Sequence, residues 1–198
     1  PYFSSGKVRY IISKNTYAQT LLRKMLFYSG RREILSNTLE LSGDLFVWLI
    51  SKVYCKENTI SSENEELSDL IIDSIKGFKG DTEDLLAKVS MSGESVMNII
   101  SALSFLIESR NLNQITIALS YRNHLNIEIS LNNKNTIGFD EDKYLGELVQ
   151  APRHEMIATC FLSLYMEIVP ILLQKYQSDI DLNLWGQGKC VSFLEMVA

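Results

Sequence analysis

The sequence has few of the residue types around which small functional sites are usually built. Its 198 residues include three cysteines, two histidines, three prolines and ten glycines. Cys55, Cys160 and Cys190 lack the paired C-x-x-C spacing of a zinc ribbon, and they are too few for a disulfide framework. The low proline and glycine content excludes a collagen-like or proline-rich chain. We expect a globular protein with reduced thiols and with no metal ion or cofactor.

Long uninterrupted hydrophobic runs are also missing. The stretch with the least charge, 156–174, contains Glu167 and Pro170. A membrane span needs roughly 20 consecutive apolar residues, so this stretch does not predict one. The N-terminal residues lack the apolar core of a signal peptide. We therefore predict a cytoplasmic location and no membrane partner.

Motifs that carry catalytic chemistry are absent from the sequence. It contains no phosphate-binding loop, no dinucleotide-binding glycine pattern and no nucleophile elbow. His154 is followed at position 158 by alanine, where a zinc-protease helix has its second histidine. The acidic residues 140–142 lack the spacing of a calcium loop. Glu128 is followed two positions later by serine rather than by the lysine of a restriction-type nuclease. We therefore favour a protein that is not an enzyme.

Charge is distributed unevenly along the chain, although the net charge is only −5. Residues 1–60 contain nine lysines and arginines and four acids, whereas 61–198 contain ten and twenty. A basic block of this kind is a candidate surface for nucleic acid or another partner. The alternative, which we favour because the spacing is sparse, is that the block is solvated or docks on the acidic part of the chain. The first 32 residues hold seven basic residues and no acid: Lys7, Arg9, Lys14, Arg23, Lys24, Arg31 and Arg32.

Hydrophobic periodicity predicts several helices and one clear hairpin. Buried helices are predicted over 45–55, 93–110 and 156–173, the last within a longer helix, 152–177, that is kinked or broken near Pro170. A further amphipathic helix is predicted from Leu67, Leu70, Ile71, Ile75 and Phe78. The period then changes to two, which predicts a β-hairpin over 115–131 and a third strand over 136–139.

These elements predict an α+β fold that is mostly helical, with a central antiparallel β-hairpin or small sheet. We expect a single domain over 1–198. The polar loop 56–64 is a possible internal boundary between a basic helical subdomain, 1–55, and an acidic α+β subdomain, 64–198.

Residues 64–131 run in the order helix, short helix, turn, longer helix and hairpin, which is similar to a winged helix-turn-helix module. The similarity rests on element order alone. The segment carries five lysines and arginines against ten acids. Its longer helix also offers few side chains that can read base edges. A winged-helix-like shape used for protein contact therefore fits better than DNA binding.

The leading functional hypothesis is a non-catalytic protein-interaction or regulatory protein, a subunit or domain of a larger assembly with a protein partner or a second copy of itself. The first alternative is a nucleic-acid-binding regulator that uses the basic N-terminal region. The second is an enzyme whose site is assembled by folding from distant residues, for example His154 with Asp140 or Glu141.

Overall fold

The computed structural model describes residues 2–4, 7–9, 39–61, 70–81, 88–92, 111–186, 188–190 and 192–193. The chain divides into two compact units, Pro1–Leu39 and Glu40–Ala198. In the first unit, β1 (Tyr2–Ser4) and β2 (Lys7–Arg9) form an antiparallel pair. The internal boundary predicted at 56–64 stays a prediction.

Within the described part of the second unit, seven strands form one antiparallel sheet. Its centre is the series β4–β6–β7. β3 and β5 both pair with the free side of β4, and β8 and β9 both pair with the free side of β7. The strands are β3 (Thr59–Ile60), β4 (Leu70–Asp81), β5 (Lys88–Ser92), β6 (Asn111–Tyr121), β7 (His124–Asn132), β8 (Thr136–Asp140) and β9 (Leu145–Gly146).

The predicted hairpin and third strand are confirmed as β6, β7 and β8. Ile117 lies opposite Ile129, which lies opposite Phe139 on the next strand. Ile117 and Ile129 are fully buried. The other face is polar, and the hydroxyls of Thr116 and Ser130 lie 2.9 Å apart in a hydrogen bond across it. Alternation predicted these strands because one face is buried and the other is not.

Two helical segments cover the apolar face of the sheet. The first is α1 (Gly43–Tyr54), which the Ser42 hydroxyl caps by accepting from the Leu45 N–H at 3.1 Å. The second is a continuous helix, Arg153–Asp181, made of α2 (Arg153–Ser163), a π-helical turn (Leu164–Ile168) and α3 (Val169–Asp181). Two 3₁₀ turns, Glu141–Lys143 and Glu147–Gln150, lead into α2. The Phe139 and Phe161 rings, 6.1 Å apart, join the sheet to α2.

The π-helical turn explains how the long helix passes Pro170 without ending. Proline has no N–H to donate to the carbonyl four residues back, so a regular α-helix loses a hydrogen bond there. Just before it, the Val169 N–H bonds to the carbonyl of Leu164, five residues back. This wider turn rearranges the backbone hydrogen bonds next to the proline. The kink or break predicted at this point is therefore a local widening.

Among the described residues, Arg153–Asp181 is the one helix long and apolar enough to cross a membrane by length and composition. Its most apolar 18-residue window has a mean hydropathy of 2.0, and 39% of that window is buried inside the protein. A core helix of a soluble protein passes the same test, so the finding is weak evidence for a span. Leu164, Ile168 and Leu172 of this helix lie in the core.

The prediction of a mostly helical chain is wrong, although helices and a sheet are both present. The amphipathic helix predicted through Leu70, Ile75 and Phe78 is β4, the longest of the described strands. The winged-helix-like interpretation of 64–131 requires this helix as its first element, so it is wrong as well. The predicted helix 93–110 lies outside the described residues.

Bulges in β4 account for the error. The pairing of β4 with β6 shifts register between Ile72 and Ser74 and between Ile75 and Gly77, each time with an extra residue on β4. Each bulge adds a residue to one strand and breaks the alternation of faces. The buried apolar side chains of β4 therefore fall at 70, 72, 75 and 78, which resembles the spacing of a helix.

Candidate functional site

A cavity of about 270 Å³ opens where the end of α1, the short strand β3 and α3 meet. Its lining carries three ammonium groups and one carboxylate, and a second carboxylate, Asp179, lies within 3.0 Å of two of the lysines, so the cluster as a whole has a net charge of +1. We call the cavity the lysine pocket. It is lined by Lys52, Lys56, Glu57, Thr59, Ile60 and Lys175.

The ends of α1 and α3 share a backbone motif that positions the charged residues. In α1 the Glu57 N–H bonds to the Lys52 carbonyl at 2.8 Å, and the Lys56 N–H bonds to the Val53 carbonyl at 3.2 Å. In α3 the corresponding bonds run from Leu184 to Asp179 and from Asn183 to Ile180. Both patterns are Schellman motifs. Lys52 and Asp179 occupy the same position in their respective motifs.

Asp179 is the buried anchor of the lysine pocket. Its side chain is 1% exposed. One carboxylate oxygen, Oδ2, lies 2.9 Å from Lys52 Nζ and accepts a hydrogen bond from Trp48 Nε1 at 3.0 Å. The other, Oδ1, lies 3.0 Å from Lys175 Nζ. That last contact is an ion pair without hydrogen-bond geometry. One buried carboxylate therefore holds two lysines that line the pocket.

The pKa values of Asp179 and Lys52 move in opposite directions. Burial alone would raise the pKa of Asp179, but the ammonium groups of Lys52 and Lys175 and a hydrogen bond from Trp48 hold it below its ordinary value. Burial alone would lower the pKa of Lys52, but its bonds to Asp179 and Glu57 hold it above its ordinary value. Both groups are therefore charged at neutral pH.

We expect these pKa shifts to limit stability at both ends of the pH scale. Asp179 has a lower pKa in the folded protein than its unfolded value of about 3.9, so its stabilisation is complete above that pH and is lost on acidification through the folded pKa. Lys52 has a higher pKa than its unfolded value of about 10.4, so its stabilisation is lost as the pH rises through the folded pKa. Urea unfolding at a series of pH values measures both limbs. The Asp179→Asn variant should have a shallower acid limb, and an unchanged limb would contradict this assignment.

Lys56 adopts an unusual backbone conformation. Its φ is 60°, in the left-handed region that glycine occupies at this position of a Schellman motif. The side chain is exposed, and no ion pair within the described part of the chain holds it. Glu57, the next residue, lies 3.0 Å from Lys52 Nζ and is 64% exposed. The pocket thus contains one unpaired lysine and one carboxylate from the chain itself.

A second cluster lies at the turn between β6 and β7. His124 is buried, and its Nδ1 lies 2.5 Å from the Tyr144 hydroxyl in a hydrogen bond. Glu147 Oε1 is 3.9 Å from His124 Nε2. Burial raises the pKa of Tyr144, so its hydroxyl stays protonated at neutral pH. Burial also raises the pKa of the Cys160 thiol to about 11, which keeps it protonated and unreactive. His124 and Tyr144 form a buried packing contact, and Glu147 lies half exposed beside it.

The acidic loop is arranged differently from the sequence hypothesis. Glu141 pairs with Arg153 rather than with His154. Asp140 lies 3.5 Å from Lys143 Nζ, and the same ammonium lies 2.8 Å from buried Glu128. His154 is exposed. The proposed pairing of His154 with these acids is therefore not formed. Nowhere in the described ranges do three His, Cys, Asp or Glu side chains lie close enough to hold a metal ion.

The basic N-terminal residues stay a prediction. Lys7 and Arg9 belong to β2, and Lys14, Arg23, Lys24, Arg31 and Arg32 lie outside the described residues. Sequence reasoning missed the lysine pocket altogether. The one local signal was the spacing of four between Lys175 and Asp179, which pairs opposite charges on a helix.

No family model, curated protein or solved structure matches the chain. The function is therefore argued from the lysine pocket and its neighbours.

Proposed function

We propose that the chain is a non-catalytic binding protein whose lysine pocket receives an anionic group. The observation that carries the proposal is the buried carboxylate of Asp179, which holds Lys52 and Lys175 in the pocket wall. A lysine side chain loses considerable rotamer freedom when a ligand fixes it. Here Asp179 already fixes two lysines and offsets one of their two charges, so an incoming anion meets preorganised donors that keep a net positive charge.

The electrostatics favour binding over catalysis. A lysine acts as a nucleophile or a base when its pKa is depressed, because only the neutral amine has a free electron pair. The pKa of Lys52 is raised instead. It therefore supplies a permanent positive charge, which suits a binding site. We infer a regulatory role or a subunit role in a larger cytoplasmic assembly, in which occupation of the pocket changes how the chain meets a protein partner.

A nucleic-acid-binding role for the basic N-terminal region is the second candidate. It is supported by the seven basic residues without an acid in the first 32. It predicts affinity for a DNA or RNA duplex that falls steeply with salt concentration.

Anion binding can be followed through the fluorescence of Trp48. Its indole N–H donates a hydrogen bond to Asp179, and the centroid of its ring lies 5.7 Å from Lys52 Nζ. In a Trp185→Phe variant, Trp48 is the only tryptophan in the chain. We expect its fluorescence to change saturably when inorganic phosphate, sulfate or citrate is added. Calorimetry on the unmodified chain gives an independent affinity. If none of these anions binds saturably by either measurement, the proposal is wrong.

Lys56→Gly is expected to raise stability and to weaken anion binding. Glycine relieves the left-handed conformation, which should raise the free energy of unfolding by about 0.5–1 kcal/mol. The same change removes the unpaired ammonium, so we expect affinity for the probe anions to fall several-fold. Urea unfolding and calorimetry measure the two effects separately.

The matched control is Asn183→Gly, at the equivalent position of the α3 motif, where φ is 56°. Asparagine already tolerates this conformation, so the gain in stability should be smaller and anion binding should not change. If Lys56→Gly binds anions as well as the unmodified chain does, Lys56 has no part in the site.

A further inference from the structure

The lysine pocket already contains an anion of the chain's own. Glu57 Oε2 lies 3.0 Å from Lys52 Nζ, and the Schellman motif places the two residues next to each other. Because Glu57 is 64% exposed, its side chain can change rotamer and move its carboxylate into solvent while the backbone stays folded. An external anion that binds Lys52 competes with this carboxylate for the same positive charge.

Tethering makes Glu57 a strong competitor. A group held beside its partner by a short piece of chain has an effective concentration on the order of millimolar or above. An external monocarboxylate has the same charge as Glu57 and gains no attraction over it, yet it must also give up translational and rotational freedom. Such a ligand should not bind measurably at low concentration.

We propose that the lysine pocket takes a phosphoryl dianion, and that this group displaces Glu57 from Lys52 when it binds. The proposal rests on the anion-binding function proposed above. At equal distance and dielectric, a dianion is attracted to an ammonium group twice as strongly as a monoanion. It can also interact with Lys56 and Lys175, which line the same cavity. Competition from Glu57 therefore weakens the binding of singly charged ligands more than the binding of doubly charged ones.

The types of residue in the lining agree with a phosphoryl group. All three cations are lysines, which act as compact point charges with three donors each. The forked guanidinium of arginine binds carboxylates and phosphates alike, whereas lysine binds phosphate as a point charge. No arginine is among the residues that line the pocket.

The size of the pocket points to a small ligand in solution. Pockets that hold drug-sized ligands have volumes of roughly 300–1,000 Å³. At about 270 Å³, this pocket is just below that range. A phosphorylated small molecule is therefore the proposed ligand. A phosphate-bearing lipid headgroup has the same chemistry, and the experiment separates the two sources.

Calorimetric titration of the full chain with inorganic phosphate and with acetate tests the proposal. We expect phosphate to bind at least ten times more tightly than acetate. Glu57→Gln removes the competing charge, so phosphate affinity should rise about fivefold or more and acetate binding should become measurable. Glu57→Ala should behave in the same way. The matched control is Glu155→Gln, an exposed acid in the first turn of α2, which should leave both affinities unchanged.

The possible outcomes are distinct. If acetate binds the unmodified chain as tightly as phosphate, or if both Glu57 variants leave phosphate affinity unchanged, this inference is overturned while the anion-binding function survives. If neither anion binds any of the proteins, the function itself is wrong. Binding to vesicles that contain phosphatidic acid, without binding of soluble phosphate, would overturn the assignment to a small molecule in solution.

Discussion

Replacing Asp179 by asparagine is expected to lower the free energy of unfolding by about 3 kcal/mol. The carboxylate lies between two ammonium groups, 2.9 Å from Lys52 and 3.0 Å from Lys175. Asparagine keeps the shape of the side chain, but it leaves Lys175 without this counter-ion and Lys52 with only the exposed carboxylate of Glu57. Removing one partner of a buried ion pair usually costs about 3–5 kcal/mol. We expect the lower end because Lys52 is 15% exposed and Lys175 is 35% exposed, so each can recover some hydration.

Urea unfolding measures the effect, and the matched control is Asp181→Asn. Asp181 lies two residues further along α3, is exposed, and accepts a hydrogen bond from the Gln177 side chain at 2.9 Å. Its replacement should change stability by less than about 0.5 kcal/mol. A similar small change in the Asp179→Asn variant would mean that the ion cluster does not stabilise the fold.

A double variant separates the ion pair from the packing. In Asp179→Leu with Lys52→Met, the Lys52–Asp179 pair is replaced by apolar side chains of similar size, while Lys175, which is 35% exposed, can be hydrated and the Trp48 N–H loses its acceptor. Exchanging a whole buried ion pair for apolar residues is often neutral or stabilising. We therefore expect the double variant to be more stable than Asp179→Asn alone, and to have lost most of its anion affinity. This combination would show that the cluster is retained for binding rather than for stability.

The sheet was predictable from the sequence where the pairing is regular. Apolar and polar side chains alternate along β6 and β7 because one face of each strand lies in the core and the other face carries mainly polar side chains. Ile115, Ile117 and Leu119 are buried, as the period of two required. α1 was predictable for a related reason. Its run of large apolar residues, with Phe46 and Trp48 fully buried, is too hydrophobic for an exposed helix.

β4 was not predictable from periodicity because its pairing is irregular. Its register shifts spread the buried positions at intervals of two and three. A different signal was present in the composition. Ile71, Ile72 and Ile75 are β-branched, and Gly77 and Gly80 are poor helix formers. The three isoleucines favoured a strand and the two glycines disfavoured a helix, whereas the spacing of apolar residues favoured a helix, and the tertiary pairing agreed with the isoleucines.

The lysine pocket was not predictable because it depends on two helix ends that are far apart in the sequence. Lys52 and Asp179 are 127 positions apart, and neither belongs to a recognisable motif. Their carbonyls accept the corresponding hydrogen bond in two separate Schellman motifs, and the packing of the two helices on the sheet brings these helix ends together. A sequence pattern can predict where a helix ends, but it cannot predict which helix ends meet.

Gly146→Ala is expected to lower the free energy of unfolding by about 2–3 kcal/mol. Gly146 pairs with His124 in the sheet. A methyl group on Gly146 would lie 2.6 Å from Cζ of Tyr144, closer still to its hydroxyl, and 3.1 Å from Cα of His124. The ring cannot move aside cheaply, since Tyr144 is buried and hydrogen-bonded to His124. The substitution should expel the ring and break that hydrogen bond.

Gly138→Ala is the matched control on the same side of the sheet. A methyl group there would lie 3.6 Å from Cβ of Ser130, an ordinary contact distance. Gly138 is exposed on β8, so we expect a change of less than about 0.5 kcal/mol. Equal costs for the two substitutions would mean that loss of backbone freedom, and not the Tyr144 contact, determines the effect at Gly146.

A double-mutant cycle with Tyr144→Leu identifies the contact directly. Leucine lacks both ring atoms that the new methyl group would meet, so Gly146→Ala should cost much less in that background than in the unmodified chain. Non-additivity of about 1 kcal/mol or more is typical of residues in direct contact. Additive costs would place the strain in the backbone beside His124, where the 3.1 Å contact remains in either background.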